Sequence, residues 1–255
     1  MHRPDLRRRQ RGLRAPLVPR PRALAIGAAT ADAIAGPWTP TAEPLVSQSD
    51  GSEGAHAPHK CGETKGSDET SGRIDPTLLH ADGKLFMYYV HQSSFVRVVE
   101  LDASGTRVVP GTNKQLMLED GQQFHATLPW EKTTVEGVEA HVKDGVVYLL
   151  YSGDSTWDGT YAVGVAKAIS PAGPFTKKGA PILTTRNGSG LVGPGHSSQW
   201  VTGPNGGTAI FYHVQRRDHE GFGGDRLLCM DPVTFEGGWP RIGDGHPSES
   251  SRAVP

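Results

Sequence analysis

Three stretches of the chain share one pattern: a polar turn ending in glycine, then a run of β-branched and aromatic residues. Ala81-Asp82-Gly83 leads into KLFMYYV, Lys143-Asp144-Gly145 into VVYLLYS, and Asn205-Gly206-Gly207 into TAIFYHV. The closing glycines are spaced by 62 and again by 62 residues. Asp-Gly and Asn-Gly steps signal tight hairpins because glycine accepts positive φ without a Cβ penalty. Residues 93–102, 161–168 and 226–230 supply further strands at a similar phase. A period of about 60 residues with several short strands per unit predicts the blades of a propeller rather than a plain sandwich. The longest apolar run, Val146 to Tyr151, has six residues, whereas a membrane-crossing helix needs about 20.

A second repeat has a longer reach. Ala25 to Val46 reads AIGAATADAIAGPWTPTAEPLV and Ala162 to Leu183 reads AVGVAKAISPAGPFTKKGAPIL; nine of 22 positions are identical at an offset of 137. Gly36-Pro37 aligns with Gly173-Pro174, and Trp38 with Phe175. An aromatic turn recurring without a gap marks Ala25–Val46 as a copy of a folded unit. The expected fold is all-β, a propeller built from such repeats.

Composition adds bounds. The 255 residues (27.3 kDa) include 33 glycines and 20 prolines, which suits a turn-rich β protein. The net charge of −1 points to neither nucleic acid nor a membrane as a partner, and two cysteines, Cys61 and Cys229, exclude a disulfide-dense scaffold. Residues 1–22 stand apart, with eight arginines against the single acid Asp5. They read as a basic arm, not native to the fold, ahead of a domain over 23–255. A secretory signal would need Ala23–Ala35 as its apolar core, but Asp32 interrupts it and the copy at 162–183 makes it a folded unit; as written, the expected compartment is cytoplasmic.

Candidate chemistry recurs at one phase of the repeat. Asp75 lies 8 residues before Gly83, Glu136 lies 9 before Gly145, and His196 lies 11 before Gly207. Each falls at or just before the innermost strand of its blade, so the three side chains are expected to converge on the propeller axis. Two carboxylates in different surroundings can hold different protonation states, the division of labour that glycosidic hydrolysis requires. Taken singly, each has a plainer role: Asp before Pro is a turn residue, Glu before Gly a solvated loop residue, and His196 a hydrogen-bonded structural histidine. His56, His59 and Cys61 lie within six residues but lack a fourth ligand for zinc. Asn187-Gly188-Ser189 matches a glycosylation sequon by pattern. Trp130 and Trp157 flank the Glu136 strand, as sugar-stacking platforms or as packing.

Together, Ile74-Asp75-Pro76 before an Asp-Gly-Lys strand, Val135-Glu136-Gly137 before DGVVYLLYSG, Tyr161–Gly164 with Gly173-Pro174-Phe175, Gly193-Pro194-Gly195-His196 and Tyr212-His213 resemble glycoside hydrolase family 43. The likeness covers about residues 24–248 and is nearest the α-L-arabinofuranosidase and β-xylosidase branch. It implies a five-bladed β-propeller, here incomplete (about three full blades plus the end of another), and an inverting hydrolase of arabinose- or xylose-containing saccharides that needs no cofactor. Glu136 matches the general acid and Asp75 the aspartate that raises the acid's pKa. His196, His213 and Arg226 match residues lining the substrate pocket, to which Trp157 is added, and the resemblance allows a calcium ion on the axis. Two departures stand out. Glu-Gly-Pro is here Glu136-Gly137-Val138, and Ala25–Val46 matches the end of a second blade, so the first blade and its aspartate base have no counterpart. A saccharide-binding propeller without turnover, or a truncated fragment, is the alternative.

Overall fold

The computed structural model describes residues 25–47, 72–91, 94–221 and 224–250. The arginine-rich arm and the His56–Cys61 cluster lie outside them. Strands β1 (Ala29–Thr30) and β2 (Thr39–Pro40) form a small pair. Three antiparallel sheets follow. The first holds β3 (Arg73–Ala81), β4 (Lys84–His91), β5 (Phe95–Leu101) and β6 (Lys114–Gln115), in that order. The second holds β7 (Val135–Lys143), β8 (Val146–Gly153), β9 (Ala162–Ala168) and β10 (Thr176–Lys177). The third holds β11 (Leu191–Gly195), β12 (Val201–Thr202), β13 (Thr208–Arg216), β14 (Leu227–Glu236) and β15 (Trp239–Ile242), with β11 and β12 both pairing with β13. These are three blades and the outer part of a fourth, as the repeats predict.

The turn chemistry explains the hairpins. Asp82 (φ 52°) with Gly83 (φ 71°) and Asp144 (φ 53°) with Gly145 (φ 75°) place two consecutive residues in the left-handed region. That is the type I′ geometry, whose twist matches the strands it joins. The alternation of the strands then buries two faces per blade. Tyr88, Val96, Leu116, Phe124, Val138, Leu149 and Phe175 fill the space between the first and second sheets. Leu150, Val163, Leu183, Ile210, Tyr212 and Val214 fill that between the second and third. Gly164 on β9 is required by close approach: a Cβ there would lie 2.7 Å from the rings of Trp130 and Tyr151. Trp130 stacks on Tyr151 at 5.9 Å and packs against the first core, so it is a packing residue and not a sugar platform.

A buried ion pair sits beneath the second blade. A single 3₁₀ turn, Pro129–Glu131, delivers Glu131, whose carboxylate accepts hydrogen bonds from Lys177 Nζ (2.7 and 2.9 Å), Tyr151 Oη (2.6 Å) and the Thr127 and Leu128 amides (2.7 and 2.8 Å). Lys177 also donates to the His125 carbonyl at 2.6 Å, so every charge taken out of water here is compensated.

Candidate active site

One irregularity recurs in the innermost strand of each sheet. Between Ile74 and Thr77 of β3, between Glu136 and Glu139 of β7, and between Val192 and Gly195 of β11, one extra residue is inserted against the partner strand. Such bulges bend a strand and re-aim its side chains, and they gather beside active sites. The residues that absorb the bend have positive φ: Asp75 (53°), Gly137 (57°) and Gly193 (59°), with His196 (50°) just past β11. Glycine takes this conformation freely. An aspartate in it costs about 1–3 kcal/mol, a strain typical of functional positions.

The bulges lock to one another. The Gly137 amide donates to Asp75 Oδ2 at 2.9 Å, and Thr77 Oγ1 donates to Glu139 Oε2 at 2.6 Å, both across 62 residues. Gln199 Nε2, on the segment after β11, reaches Thr77 Oγ1 (3.2 Å) and the Leu78 carbonyl (3.0 Å), tying that segment to β3. The His196 amide donates to Ser152 Oγ at 2.8 Å, fixing the residue after β11 against β8.

Glu136 is half-buried on the axial side of β7. Burial pushes its carboxyl above the ordinary 4.5, and the nearby charge of Asp75 pushes the same way; the Tyr161 hydroxyl, 2.8 Å from Oε1, and the charges of His196 and Arg226 pull it back. Tyr161 is buried. Its ring stacks on His213 with centroids 5.7 Å apart and packs so closely on Gly195 that a Cβ there would overlap it. His213 is held neutral: burial first, then the charges of Arg226 and His196, push it down to about 4. Both its ring nitrogens are buried and lack a hydrogen-bond partner among the described residues. His196 is exposed and sets Nε2 3.7 Å from Asp75 Oδ1, an ion pair only when the imidazole is protonated.

Asp75, Glu136 and His196 therefore lie together as the repeat phase predicts; His213, named only through the resemblance, joins them from β13, and Arg226 acts on Glu136 and His213 through its charge. Burial, not the Asp75 charge alone, leads the shift of Glu136. Trp157 is 65% exposed on the loop after β8, beside the Gly221 loop. Tyr161, Ser152, Glu139 and Gln199 escape the sequence reading. The 62-residue offset between Thr77 and Glu139 is the signal that could have found that pair. As for a cation, no three His, Cys, Asp or Glu side chains among the described residues converge to hold one. Calcium prefers a cage of oxygen ligands, so these residues do not fit a directly bound ion.

A half-buried glutamic acid with a raised pKa near a fixed aspartate, on the innermost strands of a bladed all-β fold, is an arrangement that can carry acid/base chemistry. The chain belongs to glycosyl hydrolases family 43, whose profile matches residues 18–240. It is 31% identical over 109 residues to an extracellular exo-α-(1→5)-L-arabinofuranosidase of Streptomyces avermitilis, covering 40% of this chain and 22% of that enzyme. It is 25% identical over 224 residues to extracellular endo-α-(1→5)-L-arabinanase 2 of Bacillus subtilis, covering 75% of this chain and 45% of that one. The chain thus spans under half the length of either relative. A thermostable family-43 glycoside hydrolase superposes with a TM-score of 0.69 at 24% identity, over 89% of this chain and 68% of that structure, and shares the fold.

Proposed function

We propose that the chain carries the acid half of an inverting glycoside hydrolase acting on arabinose- or xylose-containing saccharides. The observation that supports this best is Glu136 itself: half-buried, raised above the ordinary carboxyl range, and held through Oε1 by Tyr161. In this reading Glu136 donates its proton to the leaving glycosidic oxygen. Asp75, fixed by the Gly137 amide, holds a negative charge nearby that favours the protonated acid. In the same reading His213, stacked on Tyr161, backs the site, and the exposed His196, Arg226 and Trp157 are assigned to sugar binding. Inversion needs a base that activates water on the far face of the sugar. Neither Glu139, engaged by Thr77, nor Asp75, engaged by Gly137, is assigned that role.

The test compares Glu136→Gln with the parent on an arabino-oligosaccharide and on 4-nitrophenyl arabinofuranoside. The oligosaccharide, with a poor leaving group, is expected to lose at least about 100-fold in kcat. The activated aryl glycoside, which departs without a proton, is expected to lose far less. Equal losses reject the acid role. A second reading is saccharide binding without turnover; calorimetric binding of the oligosaccharide with no release of reducing sugar would support it.

A further inference from the structure

Glu136 has two carboxyl oxygens, and the fold treats them differently. Oε1 takes the Tyr161 hydroxyl at 2.8 Å, and among the described residues no second side chain hydrogen-bonds to the carboxyl. Tyr161 lies immediately before β9 and is fully buried. Its ring is wedged in place. One face stacks on His213 with centroids 5.7 Å apart, and the ring packs on Gly195 so closely that any side chain there would overlap it. A ring held in this way presents its hydroxyl to one place, and that place is Glu136.

The direction of that hydrogen bond follows from its neighbours. The His196 main-chain N–H can only donate, and it donates to Ser152 Oγ at 2.8 Å. Ser152 is fully buried and sits opposite Glu136 in the β7–β8 ladder. With its oxygen engaged by the amide, its own hydroxyl proton is directed to the Tyr161 oxygen. Tyr161 then has one proton left to give. Buried hydroxyl protons find acceptors, and the acceptor in reach is Glu136 Oε1. Burial holds the phenol well above its ordinary 10, so it keeps that proton. The sense of each link is set by the one before it, starting from a backbone amide.

We propose that Tyr161 is the positioning residue of the acid: it donates to Oε1 of Glu136 in both protonation states and leaves Oε2 as the oxygen that carries the transferable proton. This rests on reading Glu136 as the general acid. In the transfer the Oε2–H bond breaks, the proton passes to the leaving glycosidic oxygen, and the electron pair stays on the carboxylate. The charge that develops is shared with Oε1, where the Tyr161 hydrogen bond strengthens because its acceptor is becoming ionic. Tyr161 acts through Glu136 and needs no contact with the sugar. The other charges facing Glu136 are Asp75 from β3, His196 from the segment after β11 and Arg226 from the segment before β14. A change confined to the Tyr161 hydroxyl leaves all three in place.

The test is an NMR titration of the Glu136 side-chain carboxyl carbon in the full chain, assigned with Glu136→Gln. Tyr161→Phe keeps the ring on Gly195 and His213 and removes one hydroxyl. A hydrogen bond to the ionised form is lost, so the Glu136 midpoint should rise by at least about 0.5 pH. A ring-fluorinated tyrosine in place of Tyr161, a stronger donor of nearly the same shape, should lower it. The opposite signs distinguish donation by Tyr161 from a packing role, which would move neither midpoint. The fluorinated variant carries the test by itself should the phenylalanine variant not fold. A midpoint lowered by phenylalanine would mean that Glu136 donates from Oε1, and overturns the assignment of the oxygens. Midpoints unmoved in both variants overturn the positioning role. The titration needs no turnover, so the two readings fail separately. A midpoint that moves as expected while Glu136→Gln leaves oligosaccharide hydrolysis intact rejects the acid reading and upholds the contact. A loss in Glu136→Gln with an unmoved midpoint rejects Tyr161 alone.

Discussion

Replacing Glu139 by glutamine should make the protein more stable, by an amount that grows as pH rises from 4.5 to about 7 and then levels off. The carboxyl is half-buried at the axis, hydrogen-bonded by Thr77 and near the charge of Asp75. Burial, with the Asp75 charge adding and the Thr77 bond opposing, lifts it from the ordinary 4.5 to about 7. The sign follows from linkage. The folded state binds the proton more tightly than the unfolded chain, so this group's contribution is fully present below pH 4.5 and is lost as pH rises through 7. At about 1.4 kcal/mol per pKa unit, ionisation above pH 8 would cost the fold about 3 kcal/mol. Water still reaches the side chain, and screening reduces this to about 1–2 kcal/mol. Glutamine keeps the oxygen that accepts from Thr77 and never ionises. Urea unfolding of both proteins at pH 4 and pH 8 measures the effect. The variant is expected to match the parent at pH 4 and to exceed it by about 1–2 kcal/mol at pH 8. The raised carboxyl of Glu136 is common to both proteins and cancels in the difference. A variant that is less stable at pH 8, or one with the same difference at both pH values, refutes the reasoning.

Lys177→Met would strand the Glu131 carboxylate without its cation in a fully buried site and should cost about 3–5 kcal/mol in urea unfolding. Arg186→Ala, which breaks an exposed pair with Asp244, should cost under about 1 kcal/mol, and equal costs would contradict the role of burial. The ring protons of His213 should titrate by NMR with a midpoint near 4, well below the ordinary 6.5. Stability linked to that ring is present above 6.5 and is lost as pH falls toward 4, and a midpoint near 6.5 would show the ring to be solvated. Phe175→Ala should destabilise by about 3–5 kcal/mol through a core cavity. The equivalent Trp38→Ala should cost under about 1 kcal/mol in the same protein, because Trp38 is 57% exposed.

What the sequence determined by itself was whatever depends on local order along the chain. The 62-residue spacing of Gly83, Gly145 and Gly207 carries the hairpins, because Asp-Gly turns need only their own φ values. The copy of Ala25–Val46 at Ala162–Leu183 carries a register that the structure repeats bond for bond. It also placed Asp75, Glu136 and His196 near one axis, since innermost strands of successive blades must converge there. Tertiary structure decided what those residues can do. Burial raises Glu136 and lowers His213, and burial is a sum over side chains from other blades that no local pattern records. Tyr161 lies 25 residues from the Glu136 it bonds, and its place depends on the closeness of Gly195. The bulges were invisible for the same reason: an inserted residue is defined only against the partner strand it fails to match. Trp38 and Phe175 show the division most plainly. They share a turn and a register, yet one is exposed and the other fully buried, because a side chain's burial is fixed by the blade that lies against it and not by its own sequence.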